Sequence, residues 1–484
     1  MPPVFAFLSR PARTLLGFAA VAAAFSLLTA CEPTLDAAPK ASAGSADFGR
    51  YIAVGNSLTA GFADNGLYRE GQLNSYPLML AEQFKLAGGG EFVQPLFAPD
   101  QSNGTGYLRL SGFDAAGAPV LGSVTEGLAV RDTVPATVYT KYLDPINNLG
   151  VPGLRMADIK RRDVARPGAE RFNALYERLV PTGSTQTYLQ RVTASAPTFF
   201  TCWLGNNDVL GYATSGGALS ILQNANYGLT PDSVFTNRTN ALVDVLTATG
   251  AKGVVGLIPD VRAIPFFNTV GPRVKARLLS QNITQLVAVT GGVTFSAPLP
   301  DSIRPIQVSD IKDATGGRQL FTLTASPYAD LIGTPSGQYW RDFKDQSGLE
   351  LVSLWGLDTT QAFGLSPKNP WPSVLLLDEL EQARVQAATN AFNNTLRAKA
   401  EAKGLAVLDA YTFFNGIAAQ GLATSGVSNT TSYISGHLFS LDGVHPSPRG
   451  YAVVTNELVR IINARYGATL PGVDPGQYRG VKLP

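Results

Sequence analysis

Histidine and cysteine are nearly missing from this sequence, with two of each in 484 residues. Cys31 and Cys202 cannot build a disulfide framework, and no His or Cys cluster has metal-ligand spacing. Neither a metal nor an organic cofactor is expected. Charge is also scarce, at 15%. With Arg10 and Arg13 set aside, the basic and acidic residues balance at 36 each, which offers nothing to nucleic acid or to an acidic partner. No internal repeat is visible. Apolar residues are plentiful instead, at 45%, together with 49 Gly and 32 Pro. That composition supports a sizeable core interrupted by many turns and long ordered loops, expected to act as a monomer.

The first residues have the logic of an export signal. Arg10 and Arg13 precede the Ala-rich apolar run from Thr14 to Leu28, and Leu28-Thr29-Ala30-Cys31 follows with small residues at a cleavage point. Residues 1–30 read as a signal peptide, and Leu-Thr-Ala-Cys resembles a bacterial lipobox. That resemblance implies acylation of Cys31, a membrane tether and a cell-envelope address. Glu32 after the Cys favours the outer membrane. Residues 31–47, rich in Ala, Ser, Pro and Gly, fit a flexible tether. Cys202, inside the apolar run Thr198 to Leu204, reads as a buried and inert thiol.

Strand and helix signals alternate from Phe48 to about Gly467. Tyr51 to Val54 predicts a buried strand that ends in Gly55-Asn56-Ser57. A helix is expected from a Ser75 cap to Phe84, and a shorter one over Leu154 to Arg161. Two weaker helices are expected over Arg171 to Leu179 and Gln186 to Ala194. Further strands are predicted over Thr198 to Leu204, Gly253 to Ile258 and Leu405 to Leu408. Long helices are predicted over Val234 to Thr249, capped by Asp232 or Ser233, over Asp378 to Lys403, and from Ser447-Pro448 to Gly467. Such alternation points to a parallel sheet with helices on both faces. Two stretches, about 88–142 with a minor hairpin and 262–371, read as insertions, and residues 468–484 as a tail. The second insertion, with Trp340, Trp355 and Trp371, could wall the site or pack onto the domain's own surface.

Four loops stand at strand ends or before the last helix: Gly55-Asn56-Ser57-Leu58, Gly150-Val151-Pro152-Gly153, Gly205-Asn206-Asn207-Asp208 and Asp442-Gly443-Val444-His445. Nucleophilic acyl transfer needs a hydroxyl, a base, an acid to orient that base, and donors for the oxyanion. Asp442 and His445, three apart in one turn, can set a carboxylate against Nδ1 while Nε2 faces Ser57. In order and content these segments resemble the SGNH hydrolases, the GDSL family of esterases and lipases. The resemblance implies a three-layer α/β/α flavodoxin-like fold. It makes Ser57 the nucleophile, Asp442 the acid and His445 the base, and it makes Ser57, Gly153 and Asn207 the oxyanion donors, with Gly153 preferred to Gly150.

One position departs from that pattern, Asn56 standing where the family has Asp. His437 is a rival base without an Asp three residues upstream, Asp260 is an alternative acid, and Asp208 is read as a buttress for the Asn207 loop. The expected activity is hydrolysis of carboxylic esters through an acyl-enzyme. The substrate is a small-molecule or lipid ester, or alternatively an acetylated carbohydrate of the cell envelope. A catalytically silent binding lipoprotein on the same fold is the reading from another class.

Overall fold

The computed structural model describes residues 40–115, 117–217, 228–290 and 303–484. The expected signal peptide, Cys31 and the expected tether up to residue 39 lie outside the described residues. Among the described residues no helix is long and apolar enough to cross a membrane.

Four short strands, β1 (Tyr51–Gly55), β2 (Phe199–Trp203), β3 (Lys252–Gly256) and β4 (Ala406–Leu408), pair in that order, all parallel. The segment around Asn148 lies along the free edge of β1, where Leu149 N–H donates to the Ala53 carbonyl at 2.8 Å and Ala53 N–H to that of Asn147 at 2.9 Å. The second segment in the chain thus sits outside the first, as in flavodoxin-like sheets, whose ligands bind beyond the carboxyl ends of the strands.

The helices that bear on the site are α1 (Tyr76–Leu86), α2 (Asn207–Thr214), α3 (Asp232–Leu246), α4 (Glu379–Ala402), α5 (Ala410–Gln420) and α6 (Pro448–Tyr466). Alternation along β1 divides the core into two halves. Ile52 and Val54 pack with Phe235 and Leu242 of α3 and Val385 and Leu396 of α4. Tyr51 and Ala53 pack with Leu80 and Phe84 of α1 and Val454 and Leu458 of α6. The result is a three-layer α/β/α body. Phe235 and Phe392 stack at 3.9 Å between α3 and α4, and each such buried ring contributes on the order of 1.5–3 kcal/mol.

Capping sets several boundaries. Asp378 and Glu381 form a reciprocal capping box at the start of α4. Ser447 Oγ accepts from Gly450 N–H at 3.1 Å with Pro448 in the first turn, and Gly467 ends α6 in the left-handed region. Ser75 sits at the N-cap of α1 without capping it, because its hydroxyl donates to Gln94 Oε1 instead. At α3 the helix begins at Asp232 after Pro231, so neither Asp232 nor Ser233 caps it. The helix expected over Leu154 to Arg161 is only a 3-10 turn, Met156–Asp158. Over Arg171 to Leu179 a single turn forms, Ala174–Glu177, capped by Asn173. Helices α2 and α5 arise where none was expected, as do Gly271–Ser280 and Gln338–Ser347 in the second insertion.

The first insertion forms an antiparallel hairpin of Tyr107–Phe113 with Pro119–Val124. Much of the second closes on a hydrophobic cluster of its own, in which Trp371, Trp340, Phe321 and Leu286 are buried. Trp340 and Trp371 therefore serve that cluster's interior.

Candidate active site

Ser57 opens a one-turn helix, Ser57–Ala60, directly after β1, and Gly61 stops it at a φ of 81°. Asn56 precedes it as N-cap, its Oδ1 accepting from Leu58 N–H at 3.2 Å, while its buried Nδ2 has no partner among the described residues. His445 lies two residues before the cap of α6, so the start of that helix fixes where the imidazole emerges. Asp442 folds the intervening turn around itself: Oδ1 accepts the backbone N–H groups of Val444 and His445, both at 2.8 Å. Gly443 completes the turn at a φ of 69°, a conformation that strains any residue with a Cβ.

The three side chains meet although Ser57 and His445 are 388 positions apart. Nε2 of His445 is 2.8 Å from Ser57 Oγ, and Nδ1 is 2.9 Å from Asp442 Oδ2. A carboxylate only accepts, so Nδ1 carries the proton and Nε2 presents its lone pair to the serine hydroxyl. Burial alone would push the Asp442 carboxyl up, but His445 and the surrounding N–H donors bring it down to about 2.

A further acid escaped the sequence pattern. Asp64, buried and at a φ of 53°, accepts from Leu441 N–H at 2.9 Å through Oδ1 and from the Tyr68 hydroxyl at 2.7 Å through Oδ2. Its own N–H donates to Ser440 Oγ at 2.9 Å. Burial raises its pKa, with Asp442 adding to the rise. The signal available in the sequence was the turn-forming triplet Asp64-Asn65-Gly66.

Asn207, first residue of α2, donates through Nδ2 to the Leu154 carbonyl at 3.0 Å, and an amide nitrogen has a second proton to give. Asp208 binds that loop to the neighbouring one, accepting from Met156 N–H at 2.6 Å, Ala157 N–H at 3.1 Å and Thr230 Oγ1 at 2.6 Å. The carboxylate thereby satisfies the N–H groups of Met156 and Ala157 at the start of the 3-10 turn. Gly153 stands in the left-handed region at a φ of 78°. Among the described residues neither its N–H nor that of Ser57 meets a protein acceptor. Gly150 has a packing role, since a Cβ there would lie 2.5 Å from the Ala60 nitrogen.

The remaining candidates fall elsewhere. His437 stands at a φ of 68° and its carbonyl accepts from Ser447 Oγ at 2.5 Å. Asp260 pairs with Arg262 at 2.8 Å. Cys202 is buried, its thiol pushed up by burial to about 12.

Residues 318–458 match the family model described as GDSL-like Lipase/Acylhydrolase. The matched span holds Asp442 and His445 and lies beyond Ser57, Gly153 and Asn207. No curated protein matches the chain.

Proposed function

We propose that this chain, whose residues 318–458 match the GDSL-like lipase/acylhydrolase family, is an SGNH/GDSL hydrolase that cleaves carboxylic esters through an acyl-enzyme on Ser57. The observation that carries this reading is the continuous line Ser57 Oγ, His445 Nε2, His445 Nδ1, Asp442 Oδ2, with contacts of 2.8 and 2.9 Å. Ser57 Oγ bonds to the ester carbonyl carbon while His445 takes its proton, and Asp442 stabilises the imidazolium. The oxyanion is received by the backbone N–H groups of Ser57 and Gly153 and by Asn207 Nδ2. Collapse breaks the bond to the alcohol oxygen, which leaves with the proton held by His445. Water, deprotonated by the same nitrogen, then releases the acid and restores Ser57.

The test is hydrolysis of 4-nitrophenyl acetate together with labelling by a fluorophosphonate. Wild type should turn over and be labelled, whereas Ser57→Ala should do neither. Wild-type turnover by Ser57→Ala would sink the assignment.

The address proposed for this enzyme is the cell envelope, as a monomeric outer-membrane lipoprotein anchored through Cys31 after removal of residues 1–30. Support comes from the Leu28-Thr29-Ala30-Cys31 sequence and the Ala- and Ser-rich stretch behind it. Cys31→Ser should move the protein out of the membrane fraction, and unchanged partitioning would refute the anchor.

A further inference from the structure

Resting on the reading of Ser57, His445 and Asp442 as the acyl-transfer triad, we propose that Arg479, in the segment 468–484, is a positioning residue for that reaction. Its guanidinium holds the Tyr68 hydroxyl and the Asp64 turn, and through them the loop that carries the catalytic acid. A segment that reads in the sequence as a tail thereby belongs to the catalytic apparatus.

That segment is bound along α6 by a repeated contact. Asn463, Asn456 and Arg449 stand seven residues apart, two turns of helix each time, and so share one stripe of α6. Asn463 accepts the Leu470 N–H through Oδ1 and donates Nδ2 to the Leu470 carbonyl, both at 2.9 Å. Asn456 makes the same pair of bonds with Val473 at 2.8 Å. Arg449 donates its backbone N–H to the Arg479 carbonyl at 2.9 Å and its Nε to that of Tyr478 at 3.1 Å. An amide side chain offers a donor and an acceptor together, as a neighbouring strand would. The segment is therefore led back along α6 to its first turn, and Leu470 is buried with α1 and α6 on the way.

At the end of this strap Arg479 meets the site. Its Nε lies 2.7 Å from Glu70 Oε1, one terminal nitrogen is 3.4 Å from the Tyr68 hydroxyl, and the other donates to the Gly480 carbonyl at 3.0 Å. The pair with Glu70 is partly exposed and contributes little to stability by itself. Its effect lies in setting the guanidinium against Tyr68. That ring is buried and stacked on Tyr107 at 4.1 Å, and its hydroxyl donates to Asp64 Oδ2 at 2.7 Å. The hydroxyl oxygen thus receives from Arg479 while its proton goes to Asp64, and it is fixed from both sides. Asp64 in turn grips Leu441 N–H and Ser440 Oγ, the two residues before Asp442. A small displacement of that loop moves Asp442 against Nδ1 of His445, and with it Nε2 against Ser57, where misplacement is costly in rate.

The test is steady-state kinetics of the full chain on 4-nitrophenyl acetate, with Arg479→Ala, Tyr68→Phe and Asp64→Ala made singly and in pairs and urea midpoints measured alongside. Arg479→Ala should lower kcat by about tenfold with KM little changed. Tyr68→Phe, which keeps the stack on Tyr107, should lower it by a similar factor. In the Asp64→Ala background Arg479→Ala should cost nothing further, because the two act through one network. Millimolar methylguanidinium should restore part of the rate to Arg479→Ala and none to Asp64→Ala. Wild-type kcat in Arg479→Ala, or losses at Arg479 and Asp64 that multiply in the double variant, would overturn the inference alone. So would a lowered rate that tracks the urea midpoint and gains nothing from methylguanidinium, since that marks a purely structural clamp. A wild type that turns over no ester and leaves Ser57 unlabelled by fluorophosphonate would instead overturn the ester-hydrolase reading beneath it.

Discussion

The backbone N–H of Asn65 donates to Asp442 Oδ2 at 2.9 Å, the same oxygen that receives Nδ1–H of His445. The turn that follows the Ser57 helix therefore holds the acid of the opposite loop. Asp64 strengthens the grip through Leu441 N–H and Ser440 Oγ. It is joined through Tyr68 to Arg479, whose Nε also reaches Glu70 Oε1 at 2.7 Å.

Asp64 is thus a positioning residue. Asp64→Ala should reduce kcat by about 10- to 100-fold, or roughly 1.4–2.7 kcal/mol, and leave KM little changed. Asp64→Asn, which retains an acceptor for Leu441 N–H, should restore most of the rate. Steady-state kinetics on 4-nitrophenyl acetate decides the matter; an equal loss in both variants would show that charge, not geometry, is what Asp64 supplies.

Asp442 sets an acid limit on stability. Its carboxyl is held at about 2 in the folded chain, against roughly 3.9 when unfolded. A depressed carboxylate stabilises the fold above its unfolded pKa, and the contribution fades as pH falls toward 2. The share at stake is on the order of 2 kcal/mol. Urea unfolding between pH 5 and pH 2 should therefore show wild type losing more stability than Asp442→Asn, and parallel curves would contradict the coupling.

The oxyanion loops should respond to two different substitutions in two different ways. Asn207→Ala removes one donor and should lower kcat by about 10²- to 10³-fold with the melting temperature unchanged. Asp208→Ala removes the buried acceptor of Met156 N–H, Ala157 N–H and Thr230 Oγ1 and the carboxylate 3.8 Å from Arg155. It should destabilise the fold by about 3 kcal/mol, seen as a lowered urea midpoint, and lower the rate as well.

Asn56 keeps the acceptor that the Leu58 N–H needs, so Asn56→Asp should change the rate by less than about tenfold, or 1.4 kcal/mol. Asn56→Ala deletes that acceptor at a helix start and should cost about 1 kcal/mol of stability. Kinetics and denaturation on the two variants separate local capping from catalysis.

Much of this architecture was legible because it is written locally. Strand ends that finish in Gly and Asn marked the loops, and Ser447-Pro448 through Gly467 marked α6 nearly residue for residue. What stayed hidden depends on partners far away in the chain. After Gly153 only the 3-10 turn Met156–Asp158 forms, and its first N–H groups bond to Asp208, about 50 positions on. Asp64 gains its meaning only from Leu441, 377 positions away. Helix α5 begins with a local signal, Asp409 accepting from Thr412 N–H, but its aromatic run Tyr411, Phe413 and Phe414 lacks the periodicity that would have marked it.

The 388 positions between Ser57 and His445 have a consequence for biogenesis. Loop closure over such a distance comes late in folding, and α6, which fixes His445, is the final long helix of the chain. An emerging polypeptide can complete β1 and expose Ser57 while the imidazole is still unsynthesised or unfolded. Turnover should therefore switch on only when the carboxyl-terminal segment docks, which makes ester cleavage a direct clock for the completion of folding.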